Sequence, residues 1–240
     1  MERVCIGEEM TDTAIGLRLP ADVLDRRTQL PLKVGSVSLE GSRIRLQPLD
    51  LDRDVEPLHE VSNGLPAELG ARTIGRYDPD ELIWRYMHAG PFPDAAALAA
   101  YLRKRVEAPD GLCFCVFYRA TNRQVGVANY MNNAPDHLRI ELGGIWYSPL
   151  VQGTGVNAEV TYLMLQHAFE LGYRRVEWKC NARNERSRRA ALRMGFRFEG
   201  TLDSYLIVKG CNRDSAWFRM LDVEWPAARG RLEELIKTRP

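Results

Sequence analysis

Apolar and polar positions along the chain divide it into a series of short strands and helices with turn residues between them. From Ser36 the alternation in SVSLEGSRIRLQPL predicts a hairpin or a bent first strand, and Asp52 to Val61 predicts a short helix. Residues 79–88 (PDELIWRYMH) and 94–107 (DAAALAAYLRKRVE) read as helices, each with Pro or Asp near its start, separated by the turn Gly90-Pro91-Phe92-Pro93. Three strands follow, over Cys113 to Tyr118, Gln124 to Tyr130 and Arg139 to Tyr147, the first two joined by the turn Thr121-Asn122-Arg123. A long helix from Val156 to Leu171 ends at Gly172. Then come a strand from Arg175 to Lys179, a helix from Ser187 to Met194 with Gly195 past its end, and strands over Leu202 to Val208 and Ser215 to Leu221. Residues 1–34 carry no clear periodicity and are expected to form an extension that wraps the domain or is partly mobile. The last fifteen residues, PAARGRLEELIKTRP, predict a short, polar, loose helix.

Strands, then strand-loop-helix, then strand-helix-strand-strand, imply an α/β (α+β) fold: a mixed, mostly antiparallel sheet of six to seven strands with helices on both faces. The expected organisation is an extension over 1–34, one domain over 35–225 and a polar tail over 226–240; 240 residues suit one core with terminal additions. A 45% apolar fraction suffices for that core, and a net charge of +1 gives no global pull toward nucleic acid or membrane. Five cysteines, Cys5, Cys113, Cys115, Cys180 and Cys211, include no Cys-x-x-Cys pair and are odd in number, which argues for reduced packing thiols and a cytoplasmic protein. No apolar run approaches a membrane span, and MERVCIGEEMTDT lacks the order of a signal peptide. The four histidines, His59, His88, His137 and His167, have no metal-ligand spacing, so no metal is expected.

The chemistry concentrates in WYSPLVQGTGVNAEVTYLMLQHAFE, Trp146 to Glu170, where a strand meets a glycine turn that opens into a helix. Gly153 and Gly155 let main-chain N–H groups converge without side-chain bulk, and the following helix offers its unsatisfied N–H groups and positive dipole end to the same point. Such a junction holds phosphates with backbone. It is neither a Walker loop, lacking Gly-Lys-Ser/Thr, nor a dinucleotide fingerprint, lacking three spaced glycines. It reads Gln152-x-x-Gly155-x-Asn157, preceded by ELGGIWYS and followed by NARNERSRRAALRMGF, and in this it resembles the acetyl-coenzyme A motif of the GNAT acetyltransferases. Within them it is most similar to the branch containing the ribosomal-protein N-terminal acetyltransferases. The resemblance covers residues 36–225, most strongly Glu141 to Phe196, and departs at Asn157, where the motif usually has Gly or Ala.

The resemblance implies that two parallel strands ending near Tyr147 and Lys179 splay apart, that acetyl-CoA places its pantetheine arm in the gap, and that Ile145 and Tyr147 bond the arm through their main chain. Gln152, Gly153, Thr154, Gly155, Val156 and Asn157 would take the phosphates. Asn184 would bond the arm, with Ser187 near the cofactor; on local chemistry alone Ser187 is a natural N-cap. Gly143-Gly144 fits a bulge or a close backbone approach, with a purely structural kink as the alternative.

Acyl transfer to an amine needs a proton acceptor and a donor for the charge developing on the thioester oxygen. Glu141 is the candidate base, against the competing reading of a strand glutamate facing solvent or paired with Arg139. The main-chain N–H of Tyr147 is the candidate oxyanion donor. A tyrosine that many members place four residues before the Gly of ALRMGF is here Ala191, so either the transfer proceeds without an acid, coenzyme A thiolate being a tolerable leaving group, or Tyr147 or Tyr205 takes that place. Residues 174–197 hold nine Lys/Arg against two Glu; such a run is usually a solvated face, but here Arg183, Arg188, Arg189 and Arg193 flank the proposed cleft and could steer phosphates. Without interleaved aromatics the run does not read as a nucleic-acid surface. Trp84, Tyr86 and Phe92 are core aromatics or part of an acceptor pocket. These features point to an acetyl-CoA-dependent N-acetyltransferase acting on a protein N-terminus or a small amine in a ternary complex, as a monomer or homodimer. The alternative is a non-catalytic acyl-CoA-binding sensor.

Overall fold

The structure, a computed structural model, describes residues 12–13 and 16–238. In chain order the elements are β1 (Asp12–Thr13), β2 (Gly16–Leu17), α1 (Ala21–Gln29), β3 (Leu39–Glu40), β4 (Ile44–Pro48), α2 (Leu51–Glu60), β5 (Ala67–Leu69), β6 (Arg72–Ile74), α3 (Ala95–Val106), β7 (Leu112–Tyr118), β8 (Arg123–Ala134), β9 (Arg139–Tyr147), α4 (Val156–Glu170), β10 (Arg175–Asn181), α5 (Glu185–Arg193), β11 (Arg197–Val208), β12 (Cys211–Leu221) and α6 (Trp225–Lys237). Eight strands form the main sheet in the order β11-β12-β10-β9-β8-β7-β4-β3. Only β9 and β10 pair in parallel there; every other neighbour is antiparallel.

The alternation of β7 builds two cores at once. Leu112, Phe114 and Val116 face the layer holding α4 and α6, whereas Cys113, Cys115 and Phe117 face α2 and α3 through Val55, Leu58, Leu98 and Leu102. Cys113, Cys115 and Cys180 are buried packing residues, as expected, whereas Cys211 is exposed at the β11–β12 turn and packs in no core; Cys5 lies outside the described residues. No helix among the described residues is long and apolar enough to cross a membrane.

Two expectations need correction, for residues 79–88 and for the C-terminal segment, and the one for the N-terminal extension narrows to its wrapping form. Residues 79–88 do not form a long helix: only a tight turn of π-helix spans Asp80–Trp84. The carbonyls that a continuing helix would use are engaged from elsewhere, Leu82 O by Gln152 Nε2 (3.1 Å) and Arg186 Nη2 (2.8 Å), and Trp84 O by Lys209 Nζ (2.8 Å). The extension contains the helix α1 and buries Leu30 and Val34 in the core, and Asn133 Nδ2 donates to Pro31 O and Leu32 O. The C-terminal segment is a docked helix rather than a loose tail: α6 buries Ala228 and Leu232. Its Ile236 O accepts from Arg43 Nη2 at 3.0 Å.

Candidate active site

β9 and β10 stay in register only from Arg139↔Arg175 to Leu142↔Trp178 and then part. The cause lies in β9. Opposite β8 the pairing steps from Asn129↔Gly143 to Val127↔Trp146, so β9 holds one extra residue, and Gly144 at φ 59° supplies the left-handed conformation of that bulge. Asn129 Nδ2 fixes it by donating to Gly143 O (3.1 Å) and Gly144 O (3.2 Å). The extra residue inverts the facing of the strand. Ile140 and Leu142 point into the α4 core, Trp146 into the α2/α3 core, and Ile145 and Tyr147 turn back toward α4.

Ser148 N donates to Val125 O at 2.8 Å, so by antiparallel alternation the N–H and C=O of Tyr147 point away from β8, toward the gap that β10 has left. Gln152 Nε2 reaches that C=O at 3.1 Å. The gap opens into a cleft of about 640 Å³. Ile145, Tyr147, Gln152, Gly153, Gly155, Asn157, Asn184 and Ser187 all line it. Thr154 and Val156 do not: the Thr154 hydroxyl and N–H both donate to Val151 O, at 2.7 Å and 3.4 Å, and the Val156 side chain is in the core.

Gly153 at φ 80° and Gly155 at φ 86° form the turn, with Gly155 as the N-cap of α4. The turn is braced from behind by Arg43, whose Nη1 donates to Thr154 O at 3.1 Å while its Nη2 holds the last turn of α6. Glu159, buried in α4, accepts from Ser42 Oγ (2.9 Å) and Arg43 N (3.0 Å) and ties the first hairpin to the same helix. Nothing in the local sequence of the loop announces Arg43; its partners lie more than a hundred residues away.

At the start of α5 the roles of two residues differ from the local expectation. Asn184, not Ser187, is the N-cap, its side chain accepting from Ser187 N at 3.1 Å. Ser187 lies inside the first turn and its hydroxyl accepts from Trp178 Nε1 at 3.0 Å. Of the arginines flagged by charge density, Arg189 and Arg193 line the cleft and Arg183 and Arg188 do not; Arg186, which that reading passed over, lines it as well. Tyr205 packs edge-on against Trp217 and lies outside the cleft lining, which contains two tyrosines, Tyr86 and Tyr147. Trp84 and Phe92 are core aromatics packed edge-on at 5.0 Å, whereas Tyr86 faces the cleft.

A second cavity of about 90 Å³ adjoins the cleft and shares Tyr86, Met87, Ile145, Trp178, Asn184 and Ser187 with it. Glu141 lines this cavity. It does not pair with Arg139, which is held by Glu177 at 3.0 Å; its partner is Lys179, Nζ to Oε2 at 2.6 Å, and Asn132 Nδ2 donates to the same oxygen. Burial raises the Glu141 pKa, and the charge and hydrogen bond of Lys179 oppose the rise. Among the described residues no cluster of side chains could hold a metal ion.

The parallel strands of the sheet thus part at a bulge, beside a glycine turn that caps a long helix, as the acetyltransferase resemblance implies. The chain belongs to the GNAT acetyltransferases: the family model "Acetyltransferase (GNAT) domain" matches residues 43–197. Among solved structures it is similar to a GCN5-related N-acetyltransferase from Brucella melitensis, with 34% identity over 84% of this chain and 86% of that one and a TM-score of 0.75. It is similar also to a GNAT-family protein from Chromobacterium violaceum, with 34% identity over 82% and 91% of the two chains and a TM-score of 0.71. An acetyltransferase from Salmonella typhimurium that modifies the N-terminal serine of a 50S ribosomal subunit protein shares the fold, at 16% identity over 77% and 99% of the chains and a TM-score of 0.63. No protein with a curated description matches. The protein is therefore an acetyl-CoA-dependent N-acetyltransferase.

Proposed function

We propose that the protein transfers an acetyl group from acetyl-CoA directly to an amine held in the smaller cavity, in a ternary complex. The observation that carries this reading is the juxtaposition at the bulge: the main-chain N–H of Tyr147 turns into the gap between the parted strands, and Glu141 stands on the same strand in the adjoining cavity. The residues present suit the coenzyme. Main-chain N–H groups of Gly155 to Asn157 at the α4 N-terminus suit its pyrophosphate, and Arg186, Arg189 and Arg193 place positive charge along the cleft. The side chain of Gln152 is committed to Leu82 O and Tyr147 O and its main-chain N–H to Pro149 O, so the residue acts as a brace of the cleft. Ile145 and Tyr147 offer strand-like main-chain bonds, and Asn184 and Ser187 bound the gap on its other side.

Acetyl-CoA supplies an activated acyl group. Glu141 takes the proton of the attacking ammonium, directly or through water, while the Tyr147 N–H donates to the thioester oxygen as negative charge develops there. A carboxylate whose pKa is raised by burial is a better base than one in water. Tyr147 OH is engaged with Asn157 Oδ1 at 3.1 Å, and burial raises its pKa, so it stays protonated. Tyr86, which lines both cavities, is assigned the proton donor to the departing thiolate. Two-substrate kinetics test the scheme. Intersecting initial-rate patterns, no acetylated enzyme by intact mass, and a loss of about 10- to 100-fold in kcat for Tyr86→Phe are expected. Parallel patterns with an acetyl-enzyme species would overturn it.

A further inference from the structure

The smaller cavity is unusual for a site that must receive an ammonium, because its lining is positive. Glu141 is already matched by Lys179 at 2.6 Å. The remaining charged groups are Arg105 and Arg213. Neither forms an ion pair with a carboxylate among the described residues. Arg213 is 7% exposed, its Nε meets no acceptor, and its Nη1 donates to His88 Nε2 at 3.0 Å. His88 offers no counter-charge: although it is an exposed residue overall, its Nε2 edge is turned against Arg213, and desolvation with the nearby charges of Arg213 and Arg105 lowers its pKa to about 4. A buried guanidinium without a counter-ion is costly in a folded chain. Arg213 is held on β12, opposite Leu206 of β11, so the β11–β12 hairpin keeps it at the cavity rather than letting it swing into solvent.

We infer that the acceptor is a small amine bearing a carboxylate, an amino-acid-like molecule whose carboxylate sits between Arg213 and Arg105 while its amine faces Glu141 and the cleft. The inference rests on the acetyl-transfer reading above and adds the acceptor class. Two planar guanidinium forks suit a carboxylate's paired oxygens. The size agrees: about 90 Å³ is room for a compact group rather than a long chain. A polycationic amine would meet three cations against one carboxylate, Arg105, Lys179 and Arg213 against Glu141, and be repelled. A neutral peptide N-terminus would leave Arg213 unpaired.

The experiment pairs turnover with binding. Acetylation by the wild-type protein is measured on matched sets of amines: free amino acids, their primary amides, their decarboxylated amines, aminoalkyl phosphates and a tripeptide with neutral side chains and a blocked C-terminus. Calorimetry with CoA-loaded protein measures binding of the same compounds. The expected result is a kcat/KM for carboxylate-bearing amines about 10- to 100-fold above their amides and decarboxylated partners. That preference should disappear in Arg213→Gln, be partly restored in Arg213→Lys, and leave the KM for acetyl-CoA unchanged. Turnover that ignores the carboxylate, or favours the peptide or the phosphate, overturns the acceptor class and leaves the acetyltransferase reading intact. Arg213-dependent binding of carboxylates without turnover of any amine supports the anion site and counts against the direct-transfer scheme. Carboxylate binding that is the same in wild type and Arg213→Gln overturns the inference.

Discussion

Replacing Lys179 by Met tests whether the Glu141 carboxylate is ionised and held by one partner. The two groups are 5% and 13% exposed and 2.6 Å apart, so the change leaves a buried carboxylate without its counter-ion. Breaking such a pair costs about 3–5 kcal/mol. Asn132 still donates to Glu141 Oε2, which argues for the lower end, and the lost stacking of the ammonium 4.3 Å above Trp217 adds about 0.5–1 kcal/mol. About 3.5–4 kcal/mol at pH 7 is therefore expected, a fall in melting temperature of roughly 7–16 °C for a chain of this size. Because burial already raises the Glu141 pKa, the folded form holds its proton more tightly than the unfolded chain does. Stability from this group is thus greatest below the unfolded carboxylate range and declines as pH rises through the folded pKa. Removing Lys179 raises that pKa further, so the deficit of the variant should shrink as pH is lowered toward 5, and the acidic limb of its kcat/KM profile should move to higher pH. The double variant Glu141→Gln/Lys179→Met should lose less stability than the sum of the single changes. Chemical denaturation across pH with the activity profile measures all three. A loss below about 1 kcal/mol, the level of an exposed pair, with an unmoved acidic limb would refute the argument.

Other substitutions address the parts that shape the cleft. Gly144→Ala puts a Cβ at φ 59° and 2.8 Å from Asn129 Nδ2 and should cost about 1–3 kcal/mol while raising the KM for acetyl-CoA; an unchanged melting temperature and KM would show that the bulge is dispensable. Arg43→Met removes the donors to Thr154 O and Ile236 O and should lower stability by about 2 kcal/mol in denaturant titrations, with weaker coenzyme binding. Asn184→Ala deletes the α5 cap and should cost about 1 kcal/mol, whereas Ser187→Ala should leave the cap intact and perturb Trp178 fluorescence.

The core strands and α4 were legible in the sequence because their signals are local: apolar runs, turn residues at Thr121-Asn122-Arg123, and Gly172 and Gly195 past helix ends. The glycine pair in β9 was legible as a bulge or close approach for the same reason, since glycine has few other uses inside a strand. The features that were not legible depend on distant partners. Leu82 and Trp84 stop a helix because Gln152, Arg186 and Lys209 bind their carbonyls, and no window around residue 82 contains that information. Arg43 supports the phosphate loop from the first hairpin, and α6 docks through Trp225, Ala228, Leu232 and Leu235, scattered in a polar sequence. Lys179 as the partner of Glu141 follows from the parallel register of β9 and β10, which spacing along the chain does not disclose. Arg213 and Arg105 meet at one cavity from β12 and α3, over a hundred residues apart.

The most direct test of the account is acetyl transfer by Glu141→Gln beside the wild type, followed by mass spectrometry on free amino acids, other small amines and peptides. The substitution keeps the shape of the side chain and removes its basicity. The account predicts an unchanged affinity for acetyl-CoA, a kcat/KM lower by about 100- to 10,000-fold, and no acidic limb in the remaining pH profile. Wild-type turnover in the Gln variant, with its acidic limb in place, would contradict it.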